Sequence, residues 1–164
     1  MSQTDSIVEL LNQMPELDEL GKVNGPEWRV AETIIGRVFD GGEQRIQEVV
    51  ALLVPPGGED DCKPRYLLHA MAVHVARPEG HKWRDVYCRA LASRLGSEVP
   101  ESVQAFLIGQ LQVAGTGAVA GQLGAQILNE VLCEYATQAL LAIREGAAEQ
   151  FRRARCPRRM ERFS

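Results

Sequence analysis

The sequence predicts an all-α protein: a short right-handed α-solenoid of about four helix pairs behind an N-terminal capping helix. Three observations predict it. The 164 residues are 45% hydrophobic but only 5% aromatic, a balance that suits Ala- and Leu-lined helix packing better than twisted sheets. Helix starts recur along the chain. Pro26-Glu27, Pro64-Arg65 and Pro100-Glu101 each open an apolar stretch of helical period, 38 and 36 residues apart, and proline in a first helical turn wastes no amide hydrogen and presets φ. Between the starts lie second, amphipathic patterns. Each unit is then a helix pair that cannot cover its own apolar faces, and stacking such pairs side by side does cover them.

Taken in order, Ser6 to Met14 reads as a short helix ended by Pro15, placed to cap the open first face. The first pair runs from Pro26 and continues, after Gly41-Gly42, over Gln44 to Val54. Pro55-Pro56-Gly57-Gly58 cannot continue a helix. In the second pair, Tyr66 to Ala76 is apolar nearly all round except at His69 and His74, the pattern of a helix between neighbours. After Arg77-Pro78-Glu79-Gly80, a second helix is expected over His81 to Leu95. Trp83, Val86, Tyr87, Ala90, Leu91 and Leu95 form its apolar stripe, and Arg84, Asp85, Arg89 and Ser93 lie opposite. The third pair begins at Pro100 and resumes over Ala118 to Leu128. The fourth begins near Asn129-Glu130, with Asn129 as cap. Ala147, Ala148, Phe151 and Ala154 form its partner helix, stopped by Cys156-Pro157.

The helix middles superpose. Leu67, Ala70, Met71 and Val75 align with Leu107, Gln110, Leu111 and Gly115, and then with Ala136, Ala139, Leu140 and Arg144, the fourth column matching least well. The expected organisation is a capping helix and linker over residues 1–25, the helical stack over 26–155 and a basic tail over 156–164.

The net charge of −4 is unevenly spread. Residues 1–60 hold 12 acidic and 4 basic side chains, residues 61–143 hold 7 of each, and residues 144–164 hold 3 and 7. Two oppositely charged ends suit separate partners or head-to-tail self-association. Cys62, Cys88, Cys133 and Cys156 are too widely spaced for a zinc ribbon or a dense disulfide framework, so free thiols are expected. The N-terminus lacks a basic and apolar leader pattern, and no 18-residue apolar run occurs. A cytoplasmic protein without membrane partners is the expectation.

Three stretches carry a family likeness: Arg65-Tyr66-Leu67-Leu68-His69-Ala70, Ala105-Phe106-Leu107-Ile108-Gly109-Gln110-Leu111-Gln112, and Leu132 to Ile143. Over about residues 26–155 the chain resembles bacterial HEAT-repeat proteins of the lyase-like type. That resemblance implies the solenoid and leaves the activity open, since the family spans adaptor-like scaffolds and enzymes such as bilin lyases and deoxyhypusine hydroxylase. The hydroxylase branch uses His-Glu pairs as metal ligands. This chain has His69-Ala70, His74-Val75 and His81-Lys82 instead, so that activity does not carry over.

Several chemical patterns compete with structural explanations. Gly115-Thr116-Gly117-Ala118-Val119-Ala120 fits a dinucleotide fingerprint, yet helical periodicity precedes it and an inter-helix turn is expected. His69 and His74 stand about 140° apart around a helix, so a metal site with Cys62 or Cys88 needs ligands from neighbouring repeats. No G-x-S-x-G is present. Arg144, Arg152, Arg153, Arg155, Arg158, Arg159 and Arg162 make the last segment basic, which is the feature of a nucleic-acid-binding alternative, though only Phe151 and Phe163 interleave with it. A lyase-like enzyme subunit is the second alternative. The expectation is a scaffold without catalytic, cofactor or metal residues, which holds a protein or peptide on the concave row of second helices. Lys82, Asp85, Arg89, Gln122 and Gln126 are the expected contact residues.

Overall fold

A computed structural model of the chain describes residues 5–20 and 27–155, with side chains through Arg144. The described residues are all-helical, with no strand among them. The elements are α1 (Ile7–Asn12), α2 (Trp28–Asp40), α3 (Gly42–Val50), α4 (Cys62–Ala76), α5 (Arg84–Ala92), α6 (Glu101–Ala114), α7 (Ala120–Ala125) and α8 (Cys133–Arg155). Short 3-10 turns at Pro78–Trp83, Gly117–Val119 and Gln126–Leu128 flank α5 and α7. Buried apolar side chains from Ile7 to Ala139 form one continuous core, so α1 belongs to the same body as the pairs that follow. Residues 156–164, expected as a basic tail, lie outside the described residues.

Local chemistry explains the starts and stops. Ser6 caps α1 and exchanges hydrogen bonds with Glu9 in a capping box. A single residue, Gly41, separates α2 from α3, and Gly42 takes φ +68°, a conformation that costs glycine little. α4 begins at Cys62, two residues before Pro64, with Asp61 accepting from the Arg65 guanidinium at 2.8 Å. α6 begins directly after Pro100, as expected. Asn129 also performs its expected capping chemistry, its side-chain oxygen accepting from the amides of Val131 and Leu132 at 2.8 and 3.0 Å, one turn ahead of α8.

The first helices of the pairs touch in succession, α2 on α4, α4 on α6 and α6 on α8, while the second helix α3 packs on α5. α4 is covered on several sides at once, by α2, α3, α5 and α6, and Leu67, Leu68, Met71, Ala72 and Val75 are all fully buried. Its polar exception His69 is exposed at the α6 side, with Nδ1 2.9 Å from Gln110 Oε1. The superposed columns share their burial: every residue of the first three is buried or half-buried, and Arg144 in the fourth is exposed. An aromatic cluster locks α2, α4 and α5 together. The Phe39 ring stacks on Trp83 at 5.5 Å, meets Tyr87 edge-on at 6.4 Å, and lies 5.9 Å from His74. The Tyr87 hydroxyl, wholly buried, donates to the Leu68 carbonyl at 2.6 Å.

The second helices differ from expectation. The helix expected over His81 to Leu95 begins only at Arg84, because Pro78–Trp83 winds as a 3-10 turn. That turn lies hard against α4: a Cβ on Gly80 would stand 2.3 Å from the His74 carbonyl oxygen. The expected Ala118 to Leu128 helix is split into α7 and two 3-10 turns. Conversely, the separate last helix expected around Ala147 to Ala154 is the continuation of α8, since Gly146 alone costs only about 1 kcal/mol relative to alanine in a helix interior. Arg84, expected opposite the apolar stripe, turns instead onto the end of α6. Its Nε donates to the Ala114 carbonyl at 2.6 Å and its Nη2 to the Gly115 carbonyl at 3.0 Å, which satisfies carbonyls that the helix end leaves open. Arg84→Met keeps most of the packing and removes both bonds. Urea unfolding is expected to show a loss of about 1–3 kcal/mol, with the far-UV signal of the folded protein unchanged.

Candidate partner-binding surface

Of the residues that sequence pattern nominates for contact, Asp85 and Arg89 lie on α5, and Arg89 reaches α3. Arg89 lies exposed on α5, and its Nε stands 3.6 Å from Glu43 Oε2 on α3. Asp85 lies one turn before Arg89 on α5, yet the arginine reaches the neighbouring helix. Gln47 Nε2 donates across the same junction to Ser93 Oγ at 3.1 Å. Lys82 and Asp85 are both exposed, with Lys82 Nζ 5.2 Å from the Trp83 ring centroid. Gln122 is exposed on α7.

Gln126 does not join them. It is 8% exposed, and its Nε2 sits 3.3 Å from where a Cβ on Gly96 would stand. α7 ends at Ala125, and the tighter winding of the 3-10 turn that follows carries Gln126 inward and turns Ile127 and Leu128 outward. Gln104 and Gln110 are the other buried glutamines. Gln104 accepts from the Gly96 amide at 2.8 Å and donates to the Val99 carbonyl at 2.7 Å, which folds the loop before α6 onto its first turn. Its signal in the sequence is a polar residue within the apolar stripe of Leu107, Ile108 and Leu111.

The histidines are spread out and engaged. A cleft of about 340 Å³ between α2 and α4 is lined by Trp28, Glu32, Tyr66, His69, His74 and Arg77 among others. His69 faces Gln110 and His74 faces Phe39, whereas His81 is exposed on the turn before α5. Among the described residues, no three His, Cys, Asp or Glu side chains are gathered as metal ligands. Gly115 opens the turn between α6 and α7, so a helix and not a strand precedes the dinucleotide-like pattern. A Cβ there would stand 2.3 Å from the Leu111 carbonyl oxygen and 2.8 Å from Ile143 Cδ1, so close packing of α6 against α8 accounts for this glycine. Of the basic series, Arg144 is exposed, Arg152, Arg153 and Arg155 lie on α8 beyond the described side chains, and Arg158, Arg159 and Arg162 lie outside the described residues. Among the described residues no helix is long and apolar enough to cross a membrane.

Cys62, Cys88 and Cys133 are free thiols in three different settings. Cys88 is buried, donates to the Ala114 carbonyl at 3.3 Å, and is pushed by burial up to about 11. The Tyr87 hydroxyl beside it is raised by the same cause. Both groups hold their protons more tightly folded than unfolded, so their contribution to stability is complete below pH 9 and falls as pH rises toward 11 and beyond. Alkylation of the native protein with iodoacetamide is expected to label exposed Cys62 and spare Cys88. Stability measured from pH 8 to pH 11 is expected to fall, and a Cys88→Ala variant to show a shallower fall.

No known protein family, curated protein or solved structure matches the chain.

Proposed function

We propose that the chain is a non-catalytic binding module, a short right-handed α-solenoid of HEAT-like helix pairs that holds a protein or peptide partner on its row of second helices. The reading is supported by the order of helix neighbours, first helix on first helix and α3 on α5, and by the shared burial of the superposed positions. Repeated pairs of this kind expose an extended surface on which recognition needs no reacting group. The observation that carries the proposal is the α3–α5 junction. There Glu43, Gln47, Arg89 and Ser93 meet across two helices as a polar strip at the surface. Exposed pairs of this type contribute little to stability, about 0–1 kcal/mol, which leaves their side chains available to exchange partners on binding. Arg89 on this strip and Lys82 on the turn before α5 are cations that face solvent, and an acidic segment is the partner chemistry they select.

Lys82→Glu together with Arg89→Glu reverses both cations without touching the core. Quantitative affinity capture from the source cells is expected to recover a partner with an acidic contact segment. The folded double variant should hold that partner about 10- to 100-fold less tightly, in line with two unfavourable rim charges of about 1–1.5 kcal/mol each. Equal capture by the two proteins, with identical thermal unfolding, removes this surface from consideration. A small molecule or metal that copurifies stoichiometrically in native mass spectrometry would favour an enzyme subunit instead.

A further inference from the structure

A second feature lies apart from that strip, where the end of α1 meets the loop after α3 and the first turn of α4. Two neighbouring clefts of about 270 and 260 Å³ open there and share Asp60 and Lys63 in their linings, a composite groove with an apolar and an acidic half. Its floor is apolar, formed by Val8, Leu11, Leu52, Val54 and Pro64. Its rim is acidic. Glu59 and Asp60 line the first cleft and Glu16, Asp18, Glu19 and Asp60 the second, and among the described lining residues Lys63 is the one cation. That ammonium is already engaged, with Nζ 2.8 Å from Glu16 Oε1 and 3.4 Å from the Met14 carbonyl. Asp60 accepts from the Cys62 amide at 2.9 Å, a bond that leaves its carboxylate charge in place.

An apolar floor inside an excess of negative charge selects one kind of occupant: a segment in which guanidinium groups alternate with apolar side chains. The chain carries such a segment. Residues 152–163 contain six arginines and one glutamate, with Met160 and Phe163 between and beside them. The same two regions hold the opposite charge excesses of the whole sequence. We infer that the groove binds residues 152–163 of a second copy of the chain, with Met160 and Phe163 over the apolar floor and Arg158, Arg159 and Arg162 against the rim carboxylates. The groove is built by α1 and the start of α4, while α8 packs on α6 and α7 at the other end of the helix order. The contact is therefore head-to-tail, and each copy keeps one groove and one segment free to continue the assembly.

Sedimentation velocity of the full chain tests this. Association is expected to rise with concentration, with a Kd on the order of 10–100 µM at low salt. It should weaken about tenfold or more between roughly 50 and 500 mM salt, where the screening length shortens to a few ångströms. The segment variant R158E/R159E/R162E and the groove variant E19K/E59K change only charge; Glu19 and Glu59 are exposed and make no hydrogen bond or ion pair among the described residues. Each variant alone is expected to remain monomeric. Their equimolar mixture should associate again, the arginine segment of one variant meeting the acidic groove of the other and the glutamate segment meeting the lysine groove, and all five changes combined in one chain should restore self-association for the same reason. A wild-type chain that stays monomeric at every concentration overturns the inference, as does a mixture as inert as its components. Monomeric wild type whose thermal stability drops in both variants would show the segment bound within its own chain, and this also overturns it. None of the substituted residues lies on the α3–α5 strip, so either surface can fail without the other.

Discussion

The need to cover the apolar stripe of α4 governs how the rest of the chain is arranged. Leu67, Leu68, Met71, Ala72 and Val75 form one broad stripe of that helix, about 140° wide, and are all withdrawn from water. At about 1.5–3 kcal/mol for each large apolar side chain, leaving that stripe open would cancel much of a domain's ordinary stability. Four other helices meet that demand, α2, α3, α5 and α6. α5 in turn is fixed by the bond from the Tyr87 hydroxyl to the Leu68 carbonyl, and α2 by the stacking of Phe39 on Trp83.

Covering that stripe with short elements brings backbones close together, and several residue choices follow from that crowding. Gly80 and Gly115 stand where a Cβ would meet a carbonyl oxygen at 2.3 Å, once under the end of α4 and once at the end of α6. Gly42 turns the chain from α2 into α3 at φ +68°. Arg84 then closes the end of α6 with two hydrogen bonds, and the Cys88 thiol joins it on the Ala114 carbonyl. Of the glycine pattern that resembles a phosphate-binding loop, Gly115 is explained by the closeness of the Leu111 carbonyl oxygen and Ile143, whereas a Cβ on Gly117 would meet nothing within 4 Å.

Much of this was legible in the sequence, and the parts that were not share a cause. The apolar run from Tyr66 to Ala76 identified the enclosed helix, and its two polar breaks, His69 and His74, fall where that helix meets Gln110 and Phe39. Pro100 and Asn129 gave true starts, and Ser6 with Glu9 three residues on carried a capping-box signal that the apolar pattern alone did not use. The lengths of the second helices were not legible. A 3-10 turn and an α-helix place apolar residues at nearly the same spacings over six residues, so Pro78–Trp83 and Gln126–Leu128 read as helix. The same error put Gln126 on the surface, because a few residues of tighter winding were enough to rotate it inward. Arg84 and Arg89 were equally exposed by pattern. Only the positions of α6 and α3 in space separate the arginine that closes a helix end from the one that pairs across the surface.

The two surfaces argued for binding are both products of this arrangement: the α3–α5 strip exists because α5 must lie over α4 beside α3, and the acidic groove because α1 packs on α2 and α3 near the start of α4. The claim underneath both is that the buried stripe of α4 is the centre of the packing. Native-state hydrogen exchange tests it most directly. The amides of Leu67 to Val75 are expected to exchange only through global unfolding, in the slowest class and with the full denaturant dependence, while those of residues 120–128 exchange through local opening. Exchange of the α4 amides as fast as those of residues 120–128, without that denaturant dependence, would contradict the account.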